Sequence, residues 1–261
     1  MMAIDPPICV ALDVGDLKAA RAVVDELRDV VPLFKVGLEL FCAEGPRTVE
    51  MVKDAGAPVF LDLKVNDIPR TAAAVVREAA RIGADFLTIM GFGGRDMIAA
   101  SVASAQEHGG PHLLVVTSLT SLDDEHLREI GVTRNVRQQA LAIGRIAAEE
   151  GAEGLILSPR EIDPVRNALP HLFLATPGVR PAGTSADDHR RVLTPADAIL
   201  AGADLVVVGR PILDAPDRVA AVKALVDEVL DAEAQRESGS HEVSRTVRDA
   251  EDADLEEDMD T

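Results

Sequence analysis

The sequence predicts an α/β protein folded as a single (β/α)8 TIM barrel. Short apolar runs alternate along the chain with longer segments whose apolar residues recur at helical spacing. The runs are almost continuously apolar, which is typical of parallel strands that are covered on both faces. No Gly-x-Gly-x-x-Gly pattern follows the first run, which disfavours an open dinucleotide-binding sheet. We therefore expect a closed barrel over residues 1–232.

Eight apolar runs are interpreted as the barrel strands. In chain order they cover residues 8–14, 33–40, 59–65, 86–90, 112–119, 154–157, 172–176 and 205–208. The first helix is predicted over residues 16–30, because Asp16 is a favourable N-cap for the apolar positions that follow. Further helices are predicted over residues 45–55, 70–82, 95–108, 123–130, 135–150, 160–168, 194–201 and 215–231. Gly-Ala pairs at Gly56, Gly83, Gly151 and Gly202 indicate helix ends.

Composition and charge exclude several classes of protein. The 261 residues include 45 Asp and Glu against 26 Lys and Arg, a formal net charge of −19. Such a surface repels nucleic acid and anionic membranes, so neither is an expected partner. No apolar run is long enough to span a membrane, and the N-terminus does not resemble a signal peptide, so we expect a cytoplasmic protein.

Residues 233–261 lose apolar periodicity and are predicted to be a disordered acidic tail.

Charged residues are concentrated where predicted strands end, which is the face on which barrels of this class place their active sites. Asp62 and Lys64 alternate along one strand, so both side chains point into the barrel mouth. Lys35 ends the neighbouring strand, and Asp67 lies shortly after Lys64. Close carboxylates would keep both lysines protonated, giving a proton donor at a defined place. The alternative is a purely structural ring of ion pairs that closes the barrel mouth.

A phosphate site is predicted beyond the seventh and eighth strands. Gly178 and Arg180 follow one strand, and Gly209 and Arg210 follow the other. Glycine allows backbone N–H groups to approach an anion, and arginine can bind phosphate through two N–H groups. Taken alone, each Gly-Arg pattern is equally compatible with a turn or with surface residues. The polar segment 180–191 is long for a barrel loop and is interpreted as a lid. The histidines show no metal-ligand spacing, and no metal site is predicted.

Residues 60–71, F-L-D-L-K-V-N-D-I-P-R-T, closely resemble the signature of the orotidine 5′-phosphate decarboxylase family, D-L-K-x-x-D-I-P-x-T. Further matches follow in order at A-L-D (11–13), F-K-V-G (34–37), L-T-S (119–121), T-P-G-V-R-P (176–181) and V-G-R-P-I (208–212). The resemblance extends over residues 8–230 and is to the bacterial-type branch of the family.

The resemblance implies decarboxylation of orotidine 5′-phosphate to UMP, the last step of de novo pyrimidine biosynthesis, without a metal or an organic cofactor. It implies that Lys64 donates a proton to C6 after CO2 leaves and that Asp62 lies against the substrate carboxylate. Lys35 would bridge Asp62 and the ribose, and Asp67 would reach into the site of a partner subunit, so a homodimer with shared active sites is expected. The other substrate-binding positions implied are Asp13 at the ribose, Ile68, Thr71, Thr120 and His189, and Arg180, Gly209 and Arg210 at the phosphate.

Three departures from the family pattern stand out. His189 occupies the lid position where the family commonly has glutamine. Residues 90–94 read M-G-F-G-G in place of a His-Ala-Ser-Gly-Gly-like run, and Val65-Asn66 replaces the more usual Phe-His. None of these changes removes a charged catalytic residue.

Other functions are compatible with parts of this pattern. A metal-dependent sugar-phosphate lyase or synthase shares the D-x-K-x-x-D barrel, although the continuation Ile68–Thr71 favours the decarboxylase. A Schiff-base aldolase is disfavoured, because flanking carboxylates oppose the loss of a proton from the amine. A non-catalytic nucleotide-binding protein would bind UMP without turnover.

Overall fold

Eight parallel strands close into one barrel, as the sequence predicts. The structure, a computed structural model, describes residues 4–180 and 193–257, with side chains described as far as residue 238. The strands are β1 Ile8–Ala11, β2 Phe34–Gly37, β3 Val59–Val65, β4 Phe86–Met90, β5 His112–Val116, β6 Gly154–Ile156, β7 Phe173–Pro177 and β8 Leu205–Val208. Each strand pairs with the next in the chain, and β8 pairs with β1 through Val206 and Ile8. The predicted lid residues 181–192, which include His189, lie outside the described residues.

Helices surround the barrel and occupy most of the predicted segments. They are α1 Leu17–Leu27, α2 Leu38–Glu44, α3 Arg47–Asp54, α4 Pro69–Arg81, α5 Gly94–Glu107, α6 Asp124–Glu129, α7 Val136–Glu149, α8 Ile162–Ala168, α9 Pro195–Leu200, α10 Arg210–Leu213 and α11 Arg218–Glu257. Asp16 caps α1 by accepting a hydrogen bond from Ala19 N at 2.8 Å. The prediction that strand two continues to residue 40 is wrong. The strand ends at Gly37, and the good helix formers Leu38, Glu39 and Leu40 begin α2.

Alternate strand residues divide the apolar side chains into two cores. One set fills the barrel interior, where the Phe60 and Phe86 rings meet edge to face with centroids 6.1 Å apart. The other set, including Val10 and Phe34, points outward and packs with residues of the helices. The continuous apolar runs of the sequence therefore reflect strands that are buried on both faces.

Carboxylates fasten the amino-terminal ends of three strand pairs. Asp85, Glu153 and Asp204 each follow a Gly-Ala pair and precede an even-numbered strand. Each accepts a backbone hydrogen bond from the preceding odd-numbered strand, and the donors are Val59 N at 2.7 Å, Leu113 N at 2.9 Å and Leu174 N at 2.8 Å. Each also lies within ion-pair distance of a basic side chain, respectively Lys53, His112 and Arg166. We call these three residues the acid clips.

Helix α11 continues through residues 233–257, which the sequence predicts to be disordered. Ala232 is buried, and Arg236 N–H groups donate to the carbonyl oxygens of Ile199 and Ala203, the latter at 2.8 Å. Packing thus extends past the predicted domain end at residue 232, because Arg236 reaches back to the end of α9. Within the described part of the chain, no helix combines the length and the apolar character that crossing a membrane requires.

Candidate active site

A cavity of about 350 Å³ opens at the carboxyl ends of the strands. Its wall contains most of the residues that the sequence selects, namely Asp13, Lys35, Asp62, Lys64, Thr120, Arg180, Gly209 and Arg210. A larger and more open groove, of about 770 Å³, lies at the opposite face beside two of the acid clips. Its charged residues Glu153, Arg166 and Asp204 are already engaged in backbone contacts there, so the smaller cavity is the candidate site.

Lys64 and Asp62 form the centre of this cavity. The Nζ atom of Lys64 lies 2.8 Å from both carboxylate oxygens of Asp62. The Asp62 side chain is 13% exposed, whereas that of Lys64 is 31% exposed. The carboxylate is therefore nearly enclosed, and the ammonium keeps a surface that a bound molecule can reach.

Lys35 adds a second ammonium behind the first pair. Its Nζ atom lies 3.1 Å from Asp13 Oδ1 and 3.6 Å from Asp62 Oδ2. Burial alone would lower the pKa of Lys35, but the carboxylates of Asp62 and Asp13 raise it above its ordinary value. Burial alone would likewise raise the pKa of Asp62, but Lys35, Lys64 and a hydrogen bond from Thr88 hold it below its ordinary value. The four residues of this row, Asp13, Lys35, Asp62 and Lys64, alternate in charge across the cavity.

Strand register explains why these side chains meet. Ala11 pairs with Lys35, and Lys35 pairs with Phe60, so these inward positions of β1, β2 and β3 lie at one level. Gly37 pairs with Asp62 one inward step nearer the barrel mouth, and Asp13 lies two residues beyond Ala11, so the long side chain of Lys35 extends towards both carboxylates. Gly37 leaves room there, since a Cβ atom on it would lie 3.0 Å from Lys35 Nζ. The sequence prediction that Asp62 and Lys64 share the inward face is confirmed by the contact between them.

The two arginines lie on the side of the cavity formed by the ends of β7 and β8, which adjoins β1. Gly209 follows β8 close to Asp13, and a Cβ atom on it would lie 3.0 Å from Asp13 Oδ2. Arg210, which is exposed, begins α10, and Arg180 donates to the carbonyl oxygen of Val179 at 3.0 Å. The cavity thus has a side with guanidinium groups and a side with the alternating charges of β1 to β3.

Three predicted residues do not line this cavity in the single chain. Asp67, Ile68 and Thr71 lie on the segment after β3, with Asp67 and Ile68 exposed. Asp67 Oδ1 accepts a hydrogen bond from Ile68 N at 2.7 Å. Among the described residues, no group of three or more His, Cys, Asp or Glu side chains is arranged to hold a metal ion.

Sequence reasoning missed Thr88, which contacts both Asp62 and Lys64. Its hydroxyl lies 2.9 Å from Asp62 Oδ1 and 2.8 Å from Lys64 N. Thr88 is the hydroxyl-bearing residue in the otherwise apolar strand F-L-T-I-M, and it shares the inward alternation of Phe86. A hydroxyl at an inward position of an apolar strand was the feature of the sequence that could have identified Thr88.

Chemically, the cavity presents an ammonium that is held rigidly beside a buried carboxylate. Such a group can donate a proton to a reacting atom and can stabilise negative charge that develops near it. The arginine side offers groups suited to a phosphate. A purely structural ion-pair ring would not need a lysine that remains open to a cavity.

Comparisons with known proteins point in one direction. Residues 6–225 match the model of the orotidine 5′-phosphate decarboxylase / HUMPS family. The chain is 46% identical over 230 residues to an orotidine 5′-phosphate decarboxylase of Moorella thermoacetica, covering 85% of this chain and 91% of the relative. It is 46% identical over 219 residues to that of Anaeromyxobacter sp. strain K, covering 84% and 96%. A crystal structure of the Lactobacillus acidophilus enzyme aligns with a TM-score of 0.76 at 34% identity, covering 86% of this chain and 99% of the other.

Proposed function

This chain belongs to the orotidine 5′-phosphate decarboxylase / HUMPS family, and we propose that it decarboxylates orotidine 5′-phosphate to UMP with Lys64 as the proton donor. The observation that carries the residue assignment is the position of the Lys64 ammonium, which lies 2.8 Å from both oxygens of Asp62 in the cavity. Metal-dependent sugar-phosphate chemistry is the alternative that the comparisons do not favour.

The chemistry requires a fixed positive charge. Loss of CO2 from C6 leaves an electron pair in the plane of the pyrimidine ring, where the π-system does not delocalise it. A preorganised ammonium beside C6 stabilises this charge electrostatically and then transfers a proton to the carbon. Asp62 lies against the departing carboxylate and keeps Lys64 in place, and Lys35 offsets the buried charge of Asp62.

Binding energy comes from the rest of the nucleotide. Asp13 and Lys35 lie at the ribose, and Arg180, Gly209 and Arg210 hold the phosphate at the ends of β7 and β8. Thr120 contacts the nucleoside, and Ile68, Thr71 and the lid residue His189 complete the enclosure. Contacts made far from C6 hold the substrate at the reacting centre, so they raise the rate as well as the affinity.

The proposed assembly is a homodimer in which Asp67 serves the partner's site. Asp67 and Ile68 are exposed on the segment that follows β3, and Ile68 is an apolar side chain that is 64% exposed. Burial of this segment against a second copy would cover Ile68 and bring Asp67 to a neighbouring cavity. We also expect the enzyme to act in the cytoplasm. The free thiols of Cys9 and Cys42 are compatible with this location.

The decisive test of the reaction follows the fall in ultraviolet absorbance of orotidine 5′-phosphate in the presence of EDTA. We expect turnover by the wild type and a loss on the order of 10³-fold or more in kcat for Lys64→Ala. Lys53→Ala is the matched control, because Lys53 pairs with Asp85 at the opposite end of β3. Binding of UMP without turnover by the wild type would instead indicate a nucleotide-binding protein, and activity only after addition of a divalent metal would favour the sugar-phosphate alternative.

Shared sites are tested by mixing two inactive variants. Lys64→Ala and Asp67→Ala homodimers each lack one required group in every site, whereas a mixed dimer regenerates one intact site. After subunit exchange at equal concentrations, random pairing restores about a quarter of the wild-type activity. No recovery, with exchange verified by mass spectrometry, would contradict the shared site and leave the reaction itself unaffected.

A further inference from the structure

Strand β3 is irregular at the point where it presents Asp62 and Lys64. Leu61 pairs with Leu87, but Val65 pairs with Ile89, so four steps along β3 match two steps along β4. The two additional residues form a bulge in β3, a device that redirects side chains. Thr88 is the single β4 residue that faces this bulge.

The bulge places the backbone of Lys64 in an unfavourable conformation. Lys64 has a φ of 50°, and it is the non-glycine residue with positive φ in the described part of the chain. This left-handed region costs free energy for a residue with a side chain, and it persists only where the surroundings enforce it. The conformation of the proposed proton donor therefore needs a stabilising contact.

Thr88 provides that contact through one hydroxyl group. The backbone N–H of Lys64 donates to Thr88 Oγ1 at 2.8 Å, within the stretch where the register between β3 and β4 shifts. The hydroxyl in turn donates to Asp62 Oδ1 at 2.9 Å, since an ionised carboxylate can only accept. Asp62 Oδ1 also accepts from Lys64 Nζ at 2.8 Å. The contacts close a ring that fixes both ends of Lys64.

Burial makes this ring rigid. Thr88 is 1% exposed, and its β-branched side chain has few rotamers available inside a packed strand. If the hydroxyl is removed, water therefore does not reach its position to replace it. Valine has the same shape but lacks the oxygen, so it would leave Lys64 N without its partner.

We propose that Thr88 is a positioning residue for the decarboxylation, holding the strained Lys64 backbone and the Asp62 carboxylate in the geometry that proton delivery to C6 requires. This inference rests on the proposed function of Lys64. Because Thr88 does not line the wall that holds the nucleotide, its removal affects the reacting centre more than substrate binding.

Two matched variants test the inference. Thr88→Val keeps the side-chain shape and removes the hydroxyl, whereas Thr88→Ser keeps the hydroxyl and removes a buried methyl group. We expect Thr88→Val to lower kcat about tenfold or more with KM changed less than about threefold, and Thr88→Ser to keep kcat within about threefold. The loss of a buried methyl group lowers the melting temperature of Thr88→Ser. If Thr88 had only a structural role, kcat would fall in each variant in proportion to its melting temperature, and Thr88→Ser would therefore lose activity too. If Thr88→Val does not fold, Thr88→Ser and Thr88→Ala differ in the same single oxygen.

A second readout does not depend on turnover. Crystal structures of the variants should show Lys64 φ leaving the left-handed region, or Lys64 Nζ leaving Asp62, in the variants without a hydroxyl and in no others. An active wild type with unchanged kcat in Thr88→Val, or an unchanged Lys64 conformation in that variant, would overturn the inference. An inactive wild type would refute the proposed function, and the variant structures would still decide whether Thr88 positions Lys64.

Discussion

Replacing Lys35 by methionine removes the ammonium between Asp13 and Asp62 and keeps a side chain of similar length. The Lys35 side chain is only 11% exposed, and its Nζ atom lies 3.6 Å from Asp62 Oδ2, whose side chain is 13% exposed. At an effective dielectric constant of about 20, two charges at this distance attract each other by about 4–5 kcal/mol. Removing one member of a buried pair typically costs about 3–5 kcal/mol. Since Asp62 retains Lys64 and Thr88, we expect a loss of about 3 kcal/mol in the free energy of unfolding.

The loss depends on pH in a defined direction. In the wild type the pKa of Asp62 is held below its ordinary value, so its contribution to stability is present above about pH 4 and is lost as the pH falls through the native pKa. The pKa of Lys35 is raised, so its contribution is present below about pH 10 and is lost as the pH rises through the native value. The difference between wild type and variant is therefore largest between these limits and narrows beyond them.

Urea unfolding followed by circular dichroism measures this difference, because the chain contains no Trp or Tyr for fluorescence. Lys53→Met is the matched control. It removes the same charge from a pair in which the lysine is 38% exposed, and exposed pairs contribute about 0–1 kcal/mol. Equal losses in the two variants, or a Lys35→Met loss that does not change between pH 7 and pH 3, would refute this account of the buried row of charges.

Three further predictions concern other parts of the barrel. Gly91→Ala should destabilise the protein by about 1–3 kcal/mol, measured by the urea midpoint, because its Cβ atom would overlap the buried side chain of Ile143. Burial raises the pKa of Glu161, so the wild type loses stability as the pH rises through this native pKa and the carboxyl ionises. Glu161→Gln cannot ionise, and its free energy of unfolding relative to the wild type should therefore be higher at pH 8 than at pH 4. A thiol reagent should modify the exposed Cys42 in the native protein and reach the buried Cys9 only after denaturation.

Each of these predictions has a control. Gly15→Ala, where a Cβ atom meets nothing within 4 Å, should leave the urea midpoint nearly unchanged, and an equal loss in both glycine variants would contradict the packing argument. A stability difference for Glu161→Gln that is the same at both pH values would show that ionisation is not its origin. Rapid modification of both thiols in the absence of denaturant would mean that the barrel interior opens readily.

The barrel was predictable because strands buried on both faces leave contiguous apolar runs, and strand ends at one face explain the grouping of Asp62 and Lys64. The contribution of Thr88 was not predictable from local pattern. It depends on the bulge in β3, which is a property of pairing between two strands and leaves no periodic signal in either strand alone.

Other differences also arise from long-range contacts. The apolar residues Leu38 and Leu40 look like a continuation of β2, but the helix that they begin packs over the barrel instead. Arg236 lies in a segment of polar composition, and only its contacts with the carbonyl oxygens at the end of α9 show that the folded domain extends to it. The roles of Asp67 and His189 stay predictions.

The acid clips have a consequence for how the barrel opens locally. They fasten β3 to β4, β5 to β6 and β7 to β8, whereas the corresponding position before β2 is Leu33, which has no carboxylate and whose carbonyl oxygen accepts from Val10 N at 3.0 Å. Backbone amides of β2 should therefore exchange with deuterium sooner than those of β3, through openings that leave the clipped pairs intact. Lys35 belongs to the strand that opens and Lys64 to one that stays closed. A nucleotide that contacts both lysines would link a strand of low local stability to one of high local stability. Slower deuterium exchange of the β2 amides would then report nucleotide binding directly.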